Sequence, residues 1–589
     1  MSDFLAGALP PLPVAVPLAV AGVLLLCNRL LPGRVPDIVA LLTALFAAAA
    51  SALLLRQAAA GPVTYWFGGW SPQQGQVIGI AFVIGQAGAL LALFTAGLTG
   101  LALLFSWGFF AEVGTQFHAM MLVFMAAMIG FILTHDVFNM FVWFEAMSVT
   151  AFALTAYALN ESALEGALTF TVTNGIGSFL MLGGIGLLYA PAGALDFGAL
   201  ETFVRGAPES AVVAASFCMI AAALLIKGAM VPLHFWLGDA HAVAPSPLSV
   251  LFSGIMVPLG LFGLMRLVWT VFLPAPVVQH LVHGLLLSLG AVTAFLGGLA
   301  ALEQRHIKRL LAFSTVSHMG VLLMALALMT PAGVAGFLAY LVGHGMVKSA
   351  LFIIAGILLA RLGSVDAIVL RGRGKDLWPV GLACGVGGLL LGGLPVGVMD
   401  KGAGLIDAAA TAGGASWLAA PLVLGTGLTG AAVLRVTGRV FAGLGSRPGS
   451  EQEAPHENEQ EPQNRPLWLM LSPALVLLGA ALVWSDGVRA VARAGAHGFL
   501  ATAGLDALPV PLSDPPHPLV PWLSLGLTLL IAAYDLWRDR LPGRLASGID
   551  WLSAPLFGVV TRLHSGIIGD YVAWITAGLA LFAAVLGLS

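Results

Sequence analysis

Four stretches of this sequence place a charged side chain within or beside a long run of apolar residues. Glu145 lies in DVFNMFVWFEAMSVTAFAL, Lys227 follows the apolar run that ends in LLIK, and Lys348 lies in YLVGHGMVKSALFIIAG. Lys401 follows LLLGGLPVGVMDKG, where glycines and Pro395 predict a helix break. A charge at the centre of a bilayer costs about 3 kcal/mol on insertion scales, so such residues are functional candidates. For Lys401, an extension of the side chain to the membrane surface is the competing interpretation.

The chemistry that suits these residues is proton transfer. Burial among apolar side chains disfavours the charged form of a lysine, and a nearby carboxylate such as Glu145 favours it. Moving or neutralising that carboxylate would eject the proton, so Glu145 and Lys227 together could act as a switch. His344 and Lys348 are four residues apart, and an α-helix places them on one face. We interpret them as part of a lysine–histidine wire.

Four further residues are candidates for which a structural role competes with the functional one. His234 and His241 follow Pro232, and each could join the relay or cap a turn at the membrane surface. Lys308 lies in the basic cluster EQRHIKR and could be an anchor at the membrane interface. His318 could be a relay member or a hydrogen-bonded histidine of the core. The sequence leaves these alternatives open.

The elements that must position these residues are transmembrane helices. The chain has 589 residues, of which 59% are hydrophobic and 9% are charged, whereas about 25% of residues are charged in soluble domains. Hydropathy predicts about sixteen spans of roughly 20 residues each, hence an all-α polytopic membrane protein, and the short alternating segments of a β-barrel are lacking. The stretch TYWFGGWSPQQGQVIG is rich in turn residues and predicts an extramembrane loop or hairpin.

Charge and cysteine usage exclude several other classes of protein. The net charge of −3 gives no sign of the positively charged surface that binds nucleic acid. The three cysteines, Cys27, Cys218 and Cys384, lack the spacing of metal or iron–sulfur ligands, and no nucleotide fingerprint is present. We therefore expect no cofactor and no metal site in this chain. Basic residues such as Arg371 and Arg373 follow odd-numbered predicted spans, which predicts that those loops are cytoplasmic and that both termini face outward.

Five stretches together resemble a known family. LTHDVFNMFVWFEAMS, IKGAMVPLHFWLGDAHAVAPSPLS, IKRLLAFSTVSHMG, GHGMVKSALFIIAG and GGLPVGVMDKG occur in this order. They resemble the antiporter-like subunits of respiratory complex I, Mrp-type sodium/proton antiporters and energy-converting membrane hydrogenases, over about residues 64–439. The resemblance implies a core of about fourteen helices with two inverted repeats of about five helices each, broken at predicted spans 7 and 12. It also implies an ion path of half-channels joined by a central polar axis.

The same resemblance suggests roles for individual residues. Glu145 matches the glutamate of span 5, and Lys227 matches the lysine of span 7. Lys348 matches the central lysine of span 11 with His344 beside it, and Lys401 matches the lysine of the broken span 12. On this basis, residues 116–275 and 276–445 are the two repeats, preceded by N-terminal helices and the hairpin at 1–115. Residues 446–466 are predicted to form a disordered acidic loop, and residues 467–589 C-terminal helices with a segment that could lie along the membrane surface.

The sequence departs from the family pattern at several positions. Many members carry a lysine in span 8, where this chain has Pro258 in SGIMVPLGLFGLMR. Thr169 and Gly85 also replace charged residues that are common in the family. The loss of the span 8 lysine removes one link between Lys227 and the central axis. Either water and Ser253 bridge the gap, or the subunit conducts poorly and serves partly as a scaffold.

The sequence therefore favours a proton-translocating or sodium/proton-translocating subunit of a multisubunit complex in the plasma membrane. Its expected partners are other membrane subunits, and any redox chemistry would belong to them. Two alternatives stay open. One is a non-conducting scaffold subunit, and the other is a proton-pumping subunit of a redox-driven complex related to complex I or to the hydrogenases.

Overall fold

The computed structural model describes residues 7–73, 77–110, 113–445, 466–502 and 517–542, with scattered residues between 547 and 580. Within these ranges, eleven helices are long and apolar enough to cross a membrane, or twelve if one bent pair forms a single span. The chain is therefore an all-α polytopic membrane protein, as predicted, whereas the count of about sixteen spans stays a prediction. The predicted acidic loop, apart from Pro466, and most of the chain beyond residue 542 lie outside the described residues.

The N-terminal region consists of two helices, a hairpin and a third helix. The turn-rich stretch forms an antiparallel hairpin, in which Val63 pairs with Ile84 and Trp66 pairs with Ala81. Gly68 turns the chain after the first strand with a φ of 65°, a conformation that favours glycine. The elements are α1 (Leu12–Leu26), α2 (Val35–Ala58), β1 (Val63–Trp66), β2 (Ala81–Ile84) and α3 (Gln86–Phe109).

Side-chain caps set the starts of the helices in the next region. Asp136 accepts a hydrogen bond from the backbone N–H of Asn139 at 2.6 Å, and Asn160 accepts from that of Ala163 at 2.8 Å. The helices are α4 (Thr115–Leu133), α5 (Val137–Thr155), α6 (Glu161–Ala192), α7 (Phe197–Gly206), α8 (Ala211–Lys227) and α9 (Phe235–Val243).

The centre of the molecule is formed by four long helices. The most apolar stretches of α10 and α12 are entirely buried, against 39% in α2, so the core lies here. Glycine allows the closest approach, because a Cβ atom on Gly320 of α12 would lie 2.3 Å from the backbone nitrogen of Ala294 on α11. The helices are α10 (Ser246–Phe272), α11 (Pro276–Glu303), α12 (Ile307–Ala327) and α13 (Pro331–Leu362).

The C-terminal region covers this core from one side. Between α14 and α15 the chain passes through Gly393, which has a φ of 86°, and Pro395. The axis bends by 70° between α17 and α18, and α19 packs against α16. The helices are α14 (Trp378–Leu391), α15 (Gly397–Ala412), α16 (Ala419–Ala442), α17 (Leu467–Val483), α18 (Ser485–Thr502) and α19 (Val520–Trp537).

Candidate functional site

Lys227 is the last residue of α8, and its side chain is fully buried. Its Nζ atom donates a hydrogen bond to Oγ of Ser148 on α5 at 2.6 Å. The same atom lies 4.7 Å from the centre of the Phe144 ring and 5.8 Å from that of Phe170. A hydroxyl group and two aromatic faces therefore surround this ammonium group, and aromatic faces attract cations.

Glu145 lies on α5 in the same region, three residues before Ser148. Its carboxylate accepts a hydrogen bond from the hydroxyl of Ser178 on α6. Among the described residues, no carboxylate oxygen lies within 4.0 Å of the Lys227 nitrogen, although the Glu145 charge acts on Lys227 through space. The predicted switch residues thus share a cluster without forming a direct ion pair.

The turn after Lys227 is fixed by an aromatic side chain. Trp236, near the start of α9, donates from its indole nitrogen to the carbonyl oxygen of Ile226 at 3.0 Å. His234 lies in this turn, and its ring centre is 4.3 Å from that of Phe235. Its side chain makes no capping hydrogen bond to α9. The side chain of His234 therefore does not cap α9, and its relay role stays a prediction.

His241 lies on α9, between the side chains around Lys227 and those around Lys348, and is fully buried. Its ring stacks on Phe352 of α13, with centres 4.4 Å apart and planes at 14°, and it also packs edge-on against Phe252. Neither ring nitrogen has a hydrogen-bond partner among the described residues. His241 therefore does not cap a turn, and the charges of Lys348 and Lys308 act on it.

Lys348 occupies the middle of α13 and is fully buried. Its Nζ atom donates to the carbonyl oxygen of Leu311 and to the hydroxyl of Ser314, both on α12. Lys308, at the start of α12, is also fully buried and donates to the carbonyl oxygen of Ala244 at 3.0 Å. Lys308 is therefore hydrogen-bonded inside the protein, and its two interpretations, relay member and interfacial anchor, stay predictions.

Two histidines lie near Lys348: His344 on α13 and His318 on α12. The ring centres of His344 and His318 are 5.2 Å apart. His318 is hydrogen-bonded on both sides, to the hydroxyl of Tyr340 at 2.7 Å and to that of Thr429 at 3.1 Å. The ring nitrogens of His344 have no hydrogen-bond partner within the described part of the chain. His318 is thus a hydrogen-bonded core histidine that also lies next to the predicted wire.

A close helix crossing holds this part of α13 in place. A Cβ atom on Gly345 would lie 2.3 Å from the carbonyl oxygen of Gly254 on α10 and 2.7 Å from the Phe94 ring. The absence of a side chain at position 345 therefore lets α13 approach α10 between His344 and Lys348. This packing fixes the backbone that carries both titratable groups relative to α10.

Tyr340 connects the histidines to an open cavity. The cavity has an empty volume of about 860 Å³, its mouth included, and Tyr340, Lys401, Asp400 and Asp407 are among its lining residues. Lys401 is 42% exposed and lies 3.4 Å from a carboxylate oxygen of Asp400. Lys401 is therefore partly exposed at the wall of this cavity, and both of its interpretations, proton carrier and side chain that extends to the membrane surface, stay predictions. The sequence analysis missed Tyr340, because an isolated tyrosine in an apolar helix gives no signal.

Aromatic side chains lie between the side chains around Lys227 (the Lys227 cluster) and those around Lys348 (the Lys348 cluster). Phe170 stacks on Trp236 with ring centres 4.4 Å apart and lies 5.6 Å from Phe252. The predicted bridge, Ser253, lies on the Lys348 side of this packing. Its hydroxyl is 2.6 Å from that of Thr315, which donates to the same Leu311 carbonyl oxygen that accepts from Lys348. In the described ranges, no group of three or more histidine, cysteine or acidic residues is placed to hold a metal ion.

Comparisons with known proteins agree with this architecture. The family model described as "NADH:quinone oxidoreductase/Mrp antiporter, TM" matches residues 134–429, about half of the chain. A protein of Staphylococcus aureus (strain JH9), named as antiporter subunit mnhD2, is 31% identical over 340 residues. That match covers 57% of this chain and 66% of the relative, and the relative from strain Newman gives the same values. The chain thus spans slightly less than two thirds of the length of these curated relatives.

Two solved structures share the fold. A chain of the membrane-bound sulfane sulfur reductase, an archaeal respiratory membrane complex, superposes with a TM-score of 0.75 at 24% sequence identity. A chain of the Mrp complex from Dietzia sp. DQ12-45-1b gives a TM-score of 0.74, also at 24% identity. Each comparison covers 85% of this chain and 99% of the other chain. From the family match and its motifs, this chain belongs to the transmembrane family of NADH:quinone oxidoreductase and Mrp antiporter subunits.

Proposed function

We propose that this chain is the proton-translocating subunit of a multisubunit membrane complex. One observation carries the proposal. Lys227 and Lys348 are both fully buried, and hydroxyl and carbonyl oxygens, not carboxylates, accept their hydrogen bonds. An ammonium group buried without a carboxylate in contact is costly, so loss of the proton is energetically accessible. Such a lysine can take up a proton when its surroundings hydrate or a carboxylate approaches, and release it afterwards.

The first half would load protons at the cluster of Glu145 and Lys227. Their side chains are held apart by separate serine partners, Ser178 and Ser148. A rotation of either side chain changes the distance between the two charges and therefore the stability of the charged lysine. This arrangement supports the predicted switch, in which movement of Glu145 ejects the proton from Lys227.

The second half would conduct protons along α13 and α12. From Lys348, the route passes His344 and His318, reaches the hydroxyl of Tyr340 and enters the cavity beside Lys401. Imidazole and phenol groups can accept a proton at one atom and donate from another, which suits them to a relay. Lys348 and Lys308 both lie close enough to His241 for their charges to act on it, and His241 and Lys308 are proposed as auxiliary members of this route.

The complex is proposed to be an Mrp-type sodium/proton antiporter in the plasma membrane. The name of the 31% identical relatives, antiporter subunit mnhD2, supports this choice over a redox-driven complex. We retain residues 116–275 and 276–445 as the two repeats, since each range contains a buried lysine and a helix break close to a proposed carrier. The basic loops then face the cytoplasm and the termini face outward.

A scaffold role is the second candidate, and a specific observation favours it. Phe170, Trp236 and Phe252 pack between the two lysine clusters, and Pro258 stands where many relatives have a lysine. These three rings do not pass protons, so transfer between the two clusters would depend on His241 or on water. If neither carried protons, the two halves would fail to couple, and the chain would only support its neighbours.

Transport by the reconstituted complex tests the proposal. Proteoliposomes that contain a pH-sensitive dye would report proton uptake by the wild type, by Lys348→Ala and by Lys375→Ala. Lys375 is an exposed lysine of a loop and provides the matched control. We expect Lys348→Ala to abolish proton uptake while the complex still assembles, and Lys375→Ala to behave as the wild type. Equal uptake by an assembled Lys348→Ala complex would support the scaffold role instead.

A further inference from the structure

Two residues at the cavity form a polar pair that the proposed route has not used. Asp407, on α15, is 3% exposed, and both of its carboxylate oxygens lie within hydrogen-bond distance of Nδ1 of His517, at 3.1 and 3.2 Å. His517 precedes α19 and is 40% exposed. The pair therefore joins a buried acid to a histidine that reaches solvent.

The pair lies at the end of the proposed route. Asp407 and His517 line the same cavity as Tyr340 and Lys401. A proton that reaches the Tyr340 hydroxyl or the Lys401 ammonium group thus enters a space in which Asp407 is a buried acceptor. Because His517 is in contact with Asp407 and partly exposed, it offers the next step towards solvent.

The other charged groups of the cavity favour a pair of this kind. Asp400 is engaged by Lys401 at 3.4 Å, and Arg489 and Arg493 of α18 also line the cavity. Arg489 is itself paired with Asp486 at 2.6 Å. The remaining cation of the three, Arg493, would repel a free proton. An acid that accepts a proton together with a histidine lowers this electrostatic barrier, since the pair alternates between one net negative charge and none.

We infer that Asp407 and His517 form the proton-release pair of this subunit, an inference that rests on the proposed function. In the empty state, a neutral imidazole lies beside the carboxylate. The pair accepts one proton from the cavity and becomes an imidazolium–carboxylate pair. It then gives one proton to water at the cavity mouth, which restores the neutral imidazole beside the carboxylate. His517 lies outside residues 134–429, so the segment matched by the family does not contain this half of the pair.

The test measures proton transport by the full complex in proteoliposomes, with the pH varied on the side of the cavity mouth. Asp407→Asn and His517→Gln keep the size of each side chain and remove its titration. Asp376→Asn removes an exposed acid of the turn before α14, which does not line the cavity, and serves as the control. We expect each of the first two variants to slow transport at least about a hundredfold, the lower end of the range for a lost proton-transfer group. The double variant should be no slower than either, and Asp376→Asn should match the wild type.

Chemical rescue separates proton transfer from a structural role. His517→Ala should lose transport and regain it when imidazole is added at the cavity mouth, because His517 is accessible there. Wild-type rates and pH profiles in both Asp407→Asn and His517→Gln would overturn the inference. So would a loss in His517→Ala that imidazole does not restore. If Asp407→Asn fails to assemble, the variants at the more exposed His517 decide the question.

Lys348→Ala distinguishes failure of this inference from failure of the proposed function. If Lys348→Ala abolishes transport but the variants at Asp407 and His517 do not change it, the release pair is wrong and the proposed function stands. If an assembled Lys348→Ala complex transports protons normally, the proposed route fails, and the release pair fails with it.

Discussion

The two halves of the chain each bury a lysine, but they surround it differently. In the first half, Lys227 donates one hydrogen bond to a hydroxyl, and the rings of Phe144 and Phe170 face its ammonium group. In the second half, Lys348 donates to a carbonyl and a hydroxyl, and histidines continue from it towards an open cavity. Lys227 is thus enclosed by aromatic rings, whereas Lys348 is connected to the cavity by a series of polar side chains.

This difference suggests a division of labour. An enclosed lysine with a nearby carboxylate, Glu145, can be switched between two charge states by a small movement. A connected lysine can pass its proton on, because His344, His318 and Tyr340 extend from it. The aromatic packing between the halves would then limit exchange between the switch and the wire. Transport would require water or a rearrangement in that packing.

A buried arginine shows what a structural role looks like in the same protein. Arg266 on α10 donates to the carbonyl oxygens of Ile132 at 2.8 Å and of Thr134 at 2.6 Å, at the end of α4. Arginine keeps its proton at physiological pH, and cations are favourable at helix C-termini. Arg266 therefore ties two helices together. Lys227 and Lys348 contact similar neutral oxygens but, in the proposed function, carry a proton that can leave.

The largest expected effect is at the connected lysine. Lys348→Arg preserves the positive charge but removes the ability to release a proton. We expect transport in proteoliposomes to fall by about a hundredfold or more, as much as in Lys348→Ala, since a lost proton-transfer group costs about 10²–10⁴-fold. Full activity in Lys348→Arg, with assembly checked by size-exclusion chromatography, would mean that only positive charge is needed there.

A similar loss is expected when the switch is disabled. Glu145→Gln keeps the shape of the side chain and its contact with Ser178, but removes the charge that acts on Lys227. Transport should fall by about a hundredfold at neutral pH on the same scale. Glu201→Gln, which removes a carboxylate paired with Arg205 on the short helix α7, is the control. Wild-type transport by an assembled Glu145→Gln complex would remove the switch from the mechanism.

A smaller effect is expected at the junction between the wire and the cavity. Tyr340→Phe removes the hydroxyl that lies 2.7 Å from Nδ1 of His318 and keeps the ring. We expect transport to fall about tenfold, because water in the cavity can partly replace the hydroxyl. Tyr189→Phe, on a partly exposed tyrosine of α6, controls for the substitution itself. Wild-type transport by Tyr340→Phe would mean that the proton route does not pass through the Tyr340 hydroxyl.

The sequence predicted the residue types of the site better than their connections. Lys227 and Lys348 were identifiable because a charge inside an apolar run is unusual, and both are buried. Ser148, Ser178 and Tyr340 were not predicted, because their importance comes from partners on other helices that no local pattern specifies. The hydroxyl and aromatic side chains around each lysine are ordinary helix residues until tertiary packing brings them together.

The fold shows the same division between local and long-range information. Turn residues predicted the hairpin, and glycines with Pro395 marked the interruption between α14 and α15. By contrast, the approach of His517 to Asp407 joins segments 110 residues apart and left no trace in the sequence. The lost lysine at position 258 was visible in the sequence, but the rings that fill the region between the halves were not.

The smallest expected effect, and the only gain, comes from restoring a polar group between the halves. Pro258 lies on α10 at the position where many relatives have a lysine. Pro258→Lys adds a titratable group and a backbone N–H, while α10 is fully buried, so the new charge must attract water to be tolerated. If aromatic packing limits exchange between the switch and the wire, this substitution should raise proton flux by about two- to fivefold. Pro258→Met, similar in length but without charge, controls for the loss of proline. If an assembled Pro258→Lys complex has the same proton flux as Pro258→Met, the aromatic region does not limit transport. The difference between the surroundings of Lys227 and Lys348 would then have no effect on the transport rate.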